Sequence, residues 1–191
     1  QRFSSPASPV VAKAVKAYLD TSVTFGDTTP DSSTVSIENN IYGSLFTASQ
    51  TGSIQSITAY LEVTNAAKNM KAAIYDASHN LIAQTLEQSV PVATGWVTFN
   101  FASPQSVTSG TSYLLTVWSF ATSGQAYLYY GSGSADQGHR QGQTYGATYP
   151  ATLSSVAHDN NQYNIYATYV AQNHNVKAAI YTDSPYTLVA S

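Results

Sequence analysis

Short runs of alternating apolar and polar residues fill the middle of the chain. Every second residue from Val97 to Phe101 is apolar, for example. A period of two is typical of half-buried strands, because successive side chains of a strand point to opposite faces. Gly, Pro, Asn and Ser separate the runs, as is common in all-β chains. The pattern predicts nine strands: Val35–Tyr42, Leu45–Ala48, Ser53–Val63, Lys71–Asp76, Leu81–Glu87, Gly95–Phe101, Ser112–Phe120, Ala126–Tyr130 and Tyr163–Val170.

Nine short strands in one domain predict an all-β fold, specifically a two-sheet antiparallel β-sandwich. Residues 112–120 are apolar on both faces, so we expect this strand to be central and covered. We expect both tryptophans to pack in the core. The residues predicted to be mostly buried are Trp96, Phe99, Phe101, Leu115, Val117 and Trp118. Residues 131–155 are rich in Gly, Gln, Ser and Thr and are predicted to form one long, ordered loop.

Both ends of the chain lie outside these strands. We predict an N-terminal arm over residues 1–34, the sandwich over residues 35–171, and a C-terminal arm over residues 172–191. Val15–Phe25 alternates with a period of two, which favours a strand. A short helix over Val10–Leu19 is the alternative, because its apolar residues also recur every four positions.

The C-terminal arm repeats part of the predicted domain. Asn69–Tyr75 returns as Asn175–Tyr181 with six of seven residues identical. A two-stranded fragment is not stable alone, so the repeat must pack on its own domain or on a neighbouring molecule. Strand addition between copies would bury alternate side chains of either arm. The residues predicted to mediate such assembly are Val15, Ala17, Leu19, Val23, Phe25, Val176, Ala178, Ile180 and Leu188.

The composition of the chain limits the classes of molecule that it is expected to bind. The 191 residues include seven Lys and Arg, ten Asp and Glu, and no Cys, and the net charge is −3. Nucleic-acid binding needs a cluster of cations, so we expect no nucleic-acid partner. No apolar run approaches the roughly 20 residues of a transmembrane helix. A surface of hydroxyls and amides suits copies of the same chain or neutral carbohydrate. Because the sequence begins at Gln1, we favour a mature secreted or cell-surface protein.

Residues for catalysis or metal binding are not arranged in a recognisable pattern. Glu62 and Glu87 are candidates for an acid/base pair, but solvent-facing charges are the more common outcome. The four histidines are widely spaced and show no metal-binding motif. The oxygen-rich loops 136–139 and 158–161 leave bound calcium open. We therefore expect a protein that is not an enzyme and that carries no cofactor.

Tyrosine offers a different kind of site. The chain has 15 Tyr, and those near the long loop are candidates for a platform on which sugar rings stack. The loop's Gln amides would then bond sugar hydroxyls. The same residues could instead anchor the loop or form a subunit interface, where Tyr is also enriched. The predicted ligand-binding residues are Tyr127, Tyr129, Tyr130, Tyr145 and Tyr149.

Six segments between Tyr42 and Tyr169 are informative about family: Ser44–Ala48, Gly52–Tyr60, Lys71–Tyr75, Gly95–Phe101, Gly110–Leu115 and Asn164–Tyr169. Together they resemble a family of jelly-roll-like β-sandwich modules from surface and secreted proteins of bacteria and archaea. The resemblance implies a binding or scaffolding unit and brings no catalytic residues with it.

These observations favour a non-enzymatic extracellular structural subunit that assembles with copies of itself, as a filament or surface polymer, by strand addition. The alternatives are a carbohydrate-binding or adhesive module and a viral capsid or decoration protein. The destination of the arms separates these hypotheses, because in self-assembly they fill the edge of a neighbour's sheet.

Overall fold

The computed structural model describes residues 22–121 and 125–172. Within these ranges the chain contains no helix and forms two antiparallel sheets, so the prediction of an all-β sandwich is confirmed. No helix in this part of the chain meets the length and hydropathy needed to cross a membrane. Most of the predicted assembly residues lie outside the described ranges, namely Val15, Ala17, Leu19, Val176, Ala178, Ile180 and Leu188.

Fourteen strands, β1 to β14 in chain order, are found in the described ranges. Sheet A contains β1 (Ser22–Gly26), β2 (Ser33–Ser36), β4 (Gly52–Thr64), β8 (Ala93–Val107), β10 (Gln125–Ser132), β13 (Asn161–Tyr163) and β14 (Ile165–Ala171). Sheet B contains β3 (Asn40–Thr47), β5 (Lys68–Asp76), β6 (Leu81–Gln84), β7 (Gln88–Val90), β9 (Ser112–Ser119), β11 (Gly138–Gly142) and β12 (Ala157–Asp159).

Strand β4 organises sheet A. One of its edges pairs with β8 along nearly its whole length. Its other edge pairs first with β14 and then with β10, and β1 adds to the far side of β14. Strands β2 and β13 both pair with β10. In sheet B the order is β12, β11, β3, β9, β5 and β6, with β7 also paired to β5.

The main core lies between the two sheets. On β4, Ile57, Ala59, Leu61 and Val63 point inward and are almost fully buried. They pack with inward residues of β5, β9 and β14 in one apolar cluster. Because strand side chains alternate, the other parity of each strand faces away from this core. The two resulting outer faces differ in whether other residues cover them.

The outer face of sheet B is covered by residues 143–156, which we call the covering loop. Tyr149 and Leu153 of this loop are buried against Tyr75, Leu114 and Trp118 of the sheet. This second apolar cluster explains why both faces of β9 are apolar. The prediction of a central, covered strand is therefore confirmed for β9, while Phe120, which follows it, is exposed.

Three predicted boundaries require correction. The run 35–42 is not one strand, because the chain turns at Asn39, whose φ is 51°, between β2 and β3. The predicted long loop contains β11, a strand that pairs with β3 and begins at Gly138. The sandwich also begins before residue 35, since β1 pairs with β14 of the same chain. Residues 22–34 thus contribute strands to the sheet although we predicted them to be part of the arm.

Candidate functional site

The outer face of sheet A carries a row of four aromatic side chains. The row consists of Trp96 on β8, Tyr60 on β4, Tyr129 on β10 and Tyr166 on β14, and all four are partly exposed. Their parity is opposite to that of the buried core residues on the same strands. We call this set the aromatic row. It presents apolar surface to solvent on the one outer face that the described residues leave open.

Strand register brings the four rings together. Trp96 and Tyr60 are direct cross-strand partners, and their ring centroids are 5.1 Å apart. The rings of Tyr60 and Tyr129 are 4.9 Å apart across the β4–β10 pair. Tyr166 pairs with Thr58, whose side chain is small, and the Trp96 ring lies 5.2 Å from Tyr166 across β4. All three contacts are edge-to-face, which is a favourable aromatic geometry.

Polar groups border the aromatic row. The Tyr129 hydroxyl donates to Oε2 of Glu62 over 3.2 Å. Thr58 and Thr98 form a hydroxyl–hydroxyl bond of 2.9 Å beneath the rings. Partial burial and the nearby Glu62 carboxylate raise the pKa of Tyr129, so its hydroxyl stays protonated and remains a donor. The Glu62 carboxylate has further lone pairs, which can accept bonds from a ligand's hydroxyls.

The outer face of sheet B shows how the same residue types behave when covered. The Tyr149 hydroxyl donates to the Lys71 carbonyl over 3.0 Å, and its ring lies 5.0 Å from Trp118. The Lys71 ammonium donates to the carbonyl of Ala147 over 2.8 Å and also to the carbonyl of Gly146. These contacts hold the covering loop on the sheet. Trp118 donates its Nε1 proton to the Gln143 carbonyl, 3.0 Å away.

The structure does not bring the five predicted ligand-binding tyrosines together. Tyr127 and Tyr129 lie on the outer face of sheet A. Tyr130 has the opposite parity and packs against Tyr163, with ring centroids 5.6 Å apart. Tyr145 and Tyr149 belong to the covering loop on sheet B. A single platform built from all five residues is therefore wrong.

The expectation that Trp96 packs in the core is wrong, because its ring lies on the outer face of sheet A against Tyr60 and Tyr166. It belongs to the aromatic row and is partly exposed, whereas Phe99, Phe101, Leu115, Val117 and Trp118 are buried as expected. The inward positions of β4 and β8 are filled by residues of the other parity. This regular alternation could have predicted from the sequence that Tyr60 and Trp96 face outward.

Of the predicted assembly residues, the described ranges contain Val23 and Phe25. Both lie in β1, which pairs with β14 of the same chain. Phe25 is 5% exposed, and its ring lies 5.6 Å from that of Tyr169. Both side chains thus pack with the core of their own molecule.

The candidate acid/base carboxylates are held by different sheets. Glu62 lies in sheet A, while Glu87 accepts bonds from Tyr145 over 2.7 Å and from Asn69 over 3.1 Å beside sheet B. Residues 22–121 and 125–172 contain no group of three His, Cys, Asp or Glu side chains that could hold a metal ion.

Three histidines that are far apart in sequence meet in space. Ring centroids are 5.0 Å apart for His79 and His139, 4.4 Å for His139 and His158, and 6.0 Å for His79 and His158. The sequence analysis missed this cluster because it searched for local spacing motifs. These residues are brought together by sheet pairing of β11 with β12 and by the β5–β6 turn.

Comparison with known families identifies the family of this chain. The model of a domain of unknown function, DUF4082, matches residues 27–182, and the chain belongs to this family. No curated protein matches the sequence.

Proposed function

We propose that this DUF4082 domain is a non-enzymatic carbohydrate-binding or adhesive module that takes a neutral polysaccharide on its aromatic row. The observation that carries the proposal is the open outer face of sheet A, where Trp96, Tyr60, Tyr129 and Tyr166 present partly exposed rings in continuous contact. Contiguous exposed apolar surface with a polar rim is typical of binding sites.

The chemistry of the row suits a sugar. A pyranose ring has apolar C–H faces that gain free energy on covering aromatic carbon, and hydroxyls at its rim that need hydrogen-bond partners. Glu62 supplies charged acceptors, which form the stronger hydrogen bonds. The hydroxyls of Tyr129 and of the exposed Thr98 lie on the same face and offer both donors and acceptors.

Charge favours a neutral ligand. Among the residues that the structure describes, the cationic side chains are Lys68, Lys71 and Arg140, and all three belong to strands of sheet B. Glu62 places negative charge beside the row. An anionic polysaccharide would therefore meet repulsion there without a compensating cation.

The test is affinity electrophoresis and calorimetry with a panel of neutral and acidic polysaccharides. We expect binding to at least one neutral polysaccharide, and loss of about tenfold or more in affinity for Trp96→Ala and for Tyr60→Ala. Phe120→Ala is the matched control, because Phe120 is 42% exposed and packs against Tyr145 beside the covering loop. Unchanged affinity in both row variants would refute the proposal, as would failure to bind any neutral polysaccharide.

Binding without hydrolysis is part of the proposal. Its support is the separation of Glu62 and Glu87 on different sheets, since glycoside hydrolysis needs two carboxylates flanking one bond. Incubation of the bound polysaccharide with clean protein should release no reducing ends. Release that disappears in Glu62→Gln would show an enzyme instead.

A second candidate function is self-assembly with copies of the same chain by strand addition. The near-identity of residues 69–75 and 175–181 supports it, because β5 is a paired, buried strand. Among the described strands, β1 pairs only with β14, so its other edge has no partner there. Such an edge can accept a strand from another molecule.

Truncation separates the two candidates. Removal of residues 1–21 or of residues 173–191 should abolish polymers seen by sedimentation and electron microscopy, while polysaccharide binding persists. We also propose an extracellular location and a jelly-roll-like relationship to bacterial and archaeal surface proteins, and both fit either candidate function. A capsid or decoration protein would instead give closed particles of fixed size.

A further inference from the structure

The histidine cluster joins three segments at one end of sheet B. His79 lies in the turn between β5 and β6, His139 in β11 and His158 in β12. The covering loop is attached at the same place, since the Leu153 amide donates to the His79 carbonyl over 3.0 Å. The Leu81 amide donates to the Ala151 carbonyl over 2.8 Å. The position of the β5–β6 turn therefore sets the position of the loop.

Hydrogen bonding determines where the protons reside. His139 Nε2 lies 3.1 Å from the Asp136 carbonyl oxygen, which can only accept, so Nε2 carries the hydrogen. Nδ1 of neutral His139 is then an acceptor. It lies 2.8 Å from His79 Nε2, which must therefore donate. Both rings therefore carry a hydrogen on Nε2 in this arrangement.

Burial keeps the central ring neutral. His139 is 4% exposed, and burial, together with the charges of His158 and His79, lowers its pKa to about 4. Burial and His158 also lower the pKa of His79. Within the described ranges, no carboxylate forms an ion pair with any of the three rings.

The charged groups around the cluster are already engaged. On the β5–β6 turn, the Asp76 carboxylate accepts from the amides of Ser78 and Asn80. On β12, the Asp159 carboxylate accepts from the Asn161 amide and the Tyr163 hydroxyl. Asp136 and Arg140 flank His139 in sequence, but alternation along β11 points the Arg140 side chain to the face opposite that of His139. The charge of Asp76 favours a proton on His79 and that of Asp159 favours one on His139, while the neighbouring histidines oppose protonation of both rings.

We propose that the three histidines form an acid-sensitive clasp, which holds the β5–β6 turn and the covering loop to β11 at neutral pH and releases them in acid. A proton on His139 Nδ1 would face the hydrogen on His79 Nε2, so that two donors oppose each other. The new charge would also oppose protonation of His79, whose ring centroid lies 5.0 Å from that of His139. Separation of the turn from β11 relieves both effects and loosens the loop that covers the outer face of sheet B.

NMR of the full chain tests the clasp directly. At pH 7.5 we expect ring nitrogen shifts of the Nε2–H tautomer for His79 and His139. Between pH 7.5 and 4, protonation of His139 should accompany a loss of at least tenfold in exchange protection at the Leu81 and Leu153 amides, after correction for intrinsic rates. The Ile57 amide, in the centre of sheet A, is the internal reference. An Nδ1–H tautomer in either ring would overturn the proposal, as would protonation of His139 without loosening of the two amides.

Two variants sharpen the result. His139→Asn places a non-titrating oxygen near the position of Nδ1, so the acid response of Leu81 and Leu153 should disappear if the variant folds. His158→Gln removes an exposed ring whose charge opposes protonation of the other two, so release should move to higher pH. An unchanged midpoint in His158→Gln would contradict the clasp. Titration curves should be identical with and without EDTA. If EDTA loosened the loop at pH 7.5, a bound metal ion rather than the protonation of the rings would hold the cluster, and the proposal would be overturned.

Discussion

The two outer faces of this sandwich carry similar residues but meet different environments. On sheet A, Trp96 and Tyr60 remain partly exposed, bordered by Glu62 and threonine hydroxyls. On sheet B, Trp118 and Tyr149 are buried beneath the covering loop. Each face has an edge-to-face pair of tryptophan and tyrosine at about the same ring distance, 5.1 Å on sheet A and 5.0 Å on sheet B.

The comparison shows what converts a partly exposed aromatic face into a buried core. The covering loop brings its own apolar side chains and satisfies its backbone through the sheet, as in the bonds from Lys71 to the carbonyls of Gly146 and Ala147. Without such a loop, aromatic rings on a sheet remain available to a ligand. We therefore assign stability to the closed face and propose ligand recognition for the open face, and the following variants separate the two.

The largest expected effect is on the closed face. Trp118→Ala should lower the free energy of unfolding by about 3–5 kcal/mol, because it removes a fully buried ring and leaves a cavity. Trp96→Ala should cost only about 1 kcal/mol, the scale of a cross-strand pair. Urea denaturation of both variants measures the difference. Equal losses in the two variants would contradict the distinction between the faces.

The next effect concerns the polar attachment of the covering loop. Burial lowers the pKa of Lys71, an effect that Glu87 partly opposes, and the ammonium lies 4.6 Å from the centre of the Tyr145 ring. Lys71→Met should destabilise the protein by about 1–3 kcal/mol, because two loop carbonyls lose their donor. Denaturation and amide exchange in the loop measure this. Thr94→Ala, exposed on the open face, is the control and should change stability by less than about 0.5 kcal/mol.

Alkaline pH should weaken the packing of the closed face. Burial raises the pKa of Tyr75, Tyr145 and Tyr149 above the ordinary value of 10.0. Below pH 10 these hydroxyls are neutral in both the folded and the unfolded chain, so their contribution to the free energy of unfolding is fully present. As the pH rises above 10, the hydroxyls of the unfolded chain ionise first, and the free energy of unfolding falls. Tyr149→Phe should reduce the steepness of this loss by about 1.4 kcal/mol per pH unit, the equivalent of one proton. Urea denaturation at successive pH values measures it. Ionisation of all tyrosines near pH 10 in the folded protein, followed by absorbance, would disprove the assignment.

The smallest expected effect is on the open face. Tyr129→Phe keeps the ring but removes the 3.2 Å bond to Glu62, so stability should change by less than about 1 kcal/mol. Affinity for the polysaccharide should fall less than in Trp96→Ala, because the stacking surface remains. Calorimetry compares the two variants, with Tyr166→Phe as the matched hydroxyl deletion. A complete loss of binding in Tyr129→Phe would move recognition from the rings to the hydroxyl.

Part of the fold could be predicted from local patterns. Period-two alternation identified the sheet class and the strands around β4, β9 and β14, because the faces of a strand are set by side-chain geometry alone. The apolar character of both faces of β9 indicated a covered strand. Alternation could not predict the division of residues 35–42 at Asn39, since a turn depends on a few backbone angles.

The sequence by itself therefore determined an all-β chain with two sheets, a low-charge surface and an abundance of tyrosine. Only the tertiary structure decided which aromatic residues remain partly exposed and which are buried in a core. Trp96 and Trp118 lie in similar apolar runs, and the difference between them arises from a loop that begins some 25 residues after Trp118 and docks on one sheet. The histidine cluster has the same origin, because His79 and His139 are separated by 60 positions and touch only when the strands pair. Such contacts depend on the packing of distant segments, which no local pattern of residues encodes.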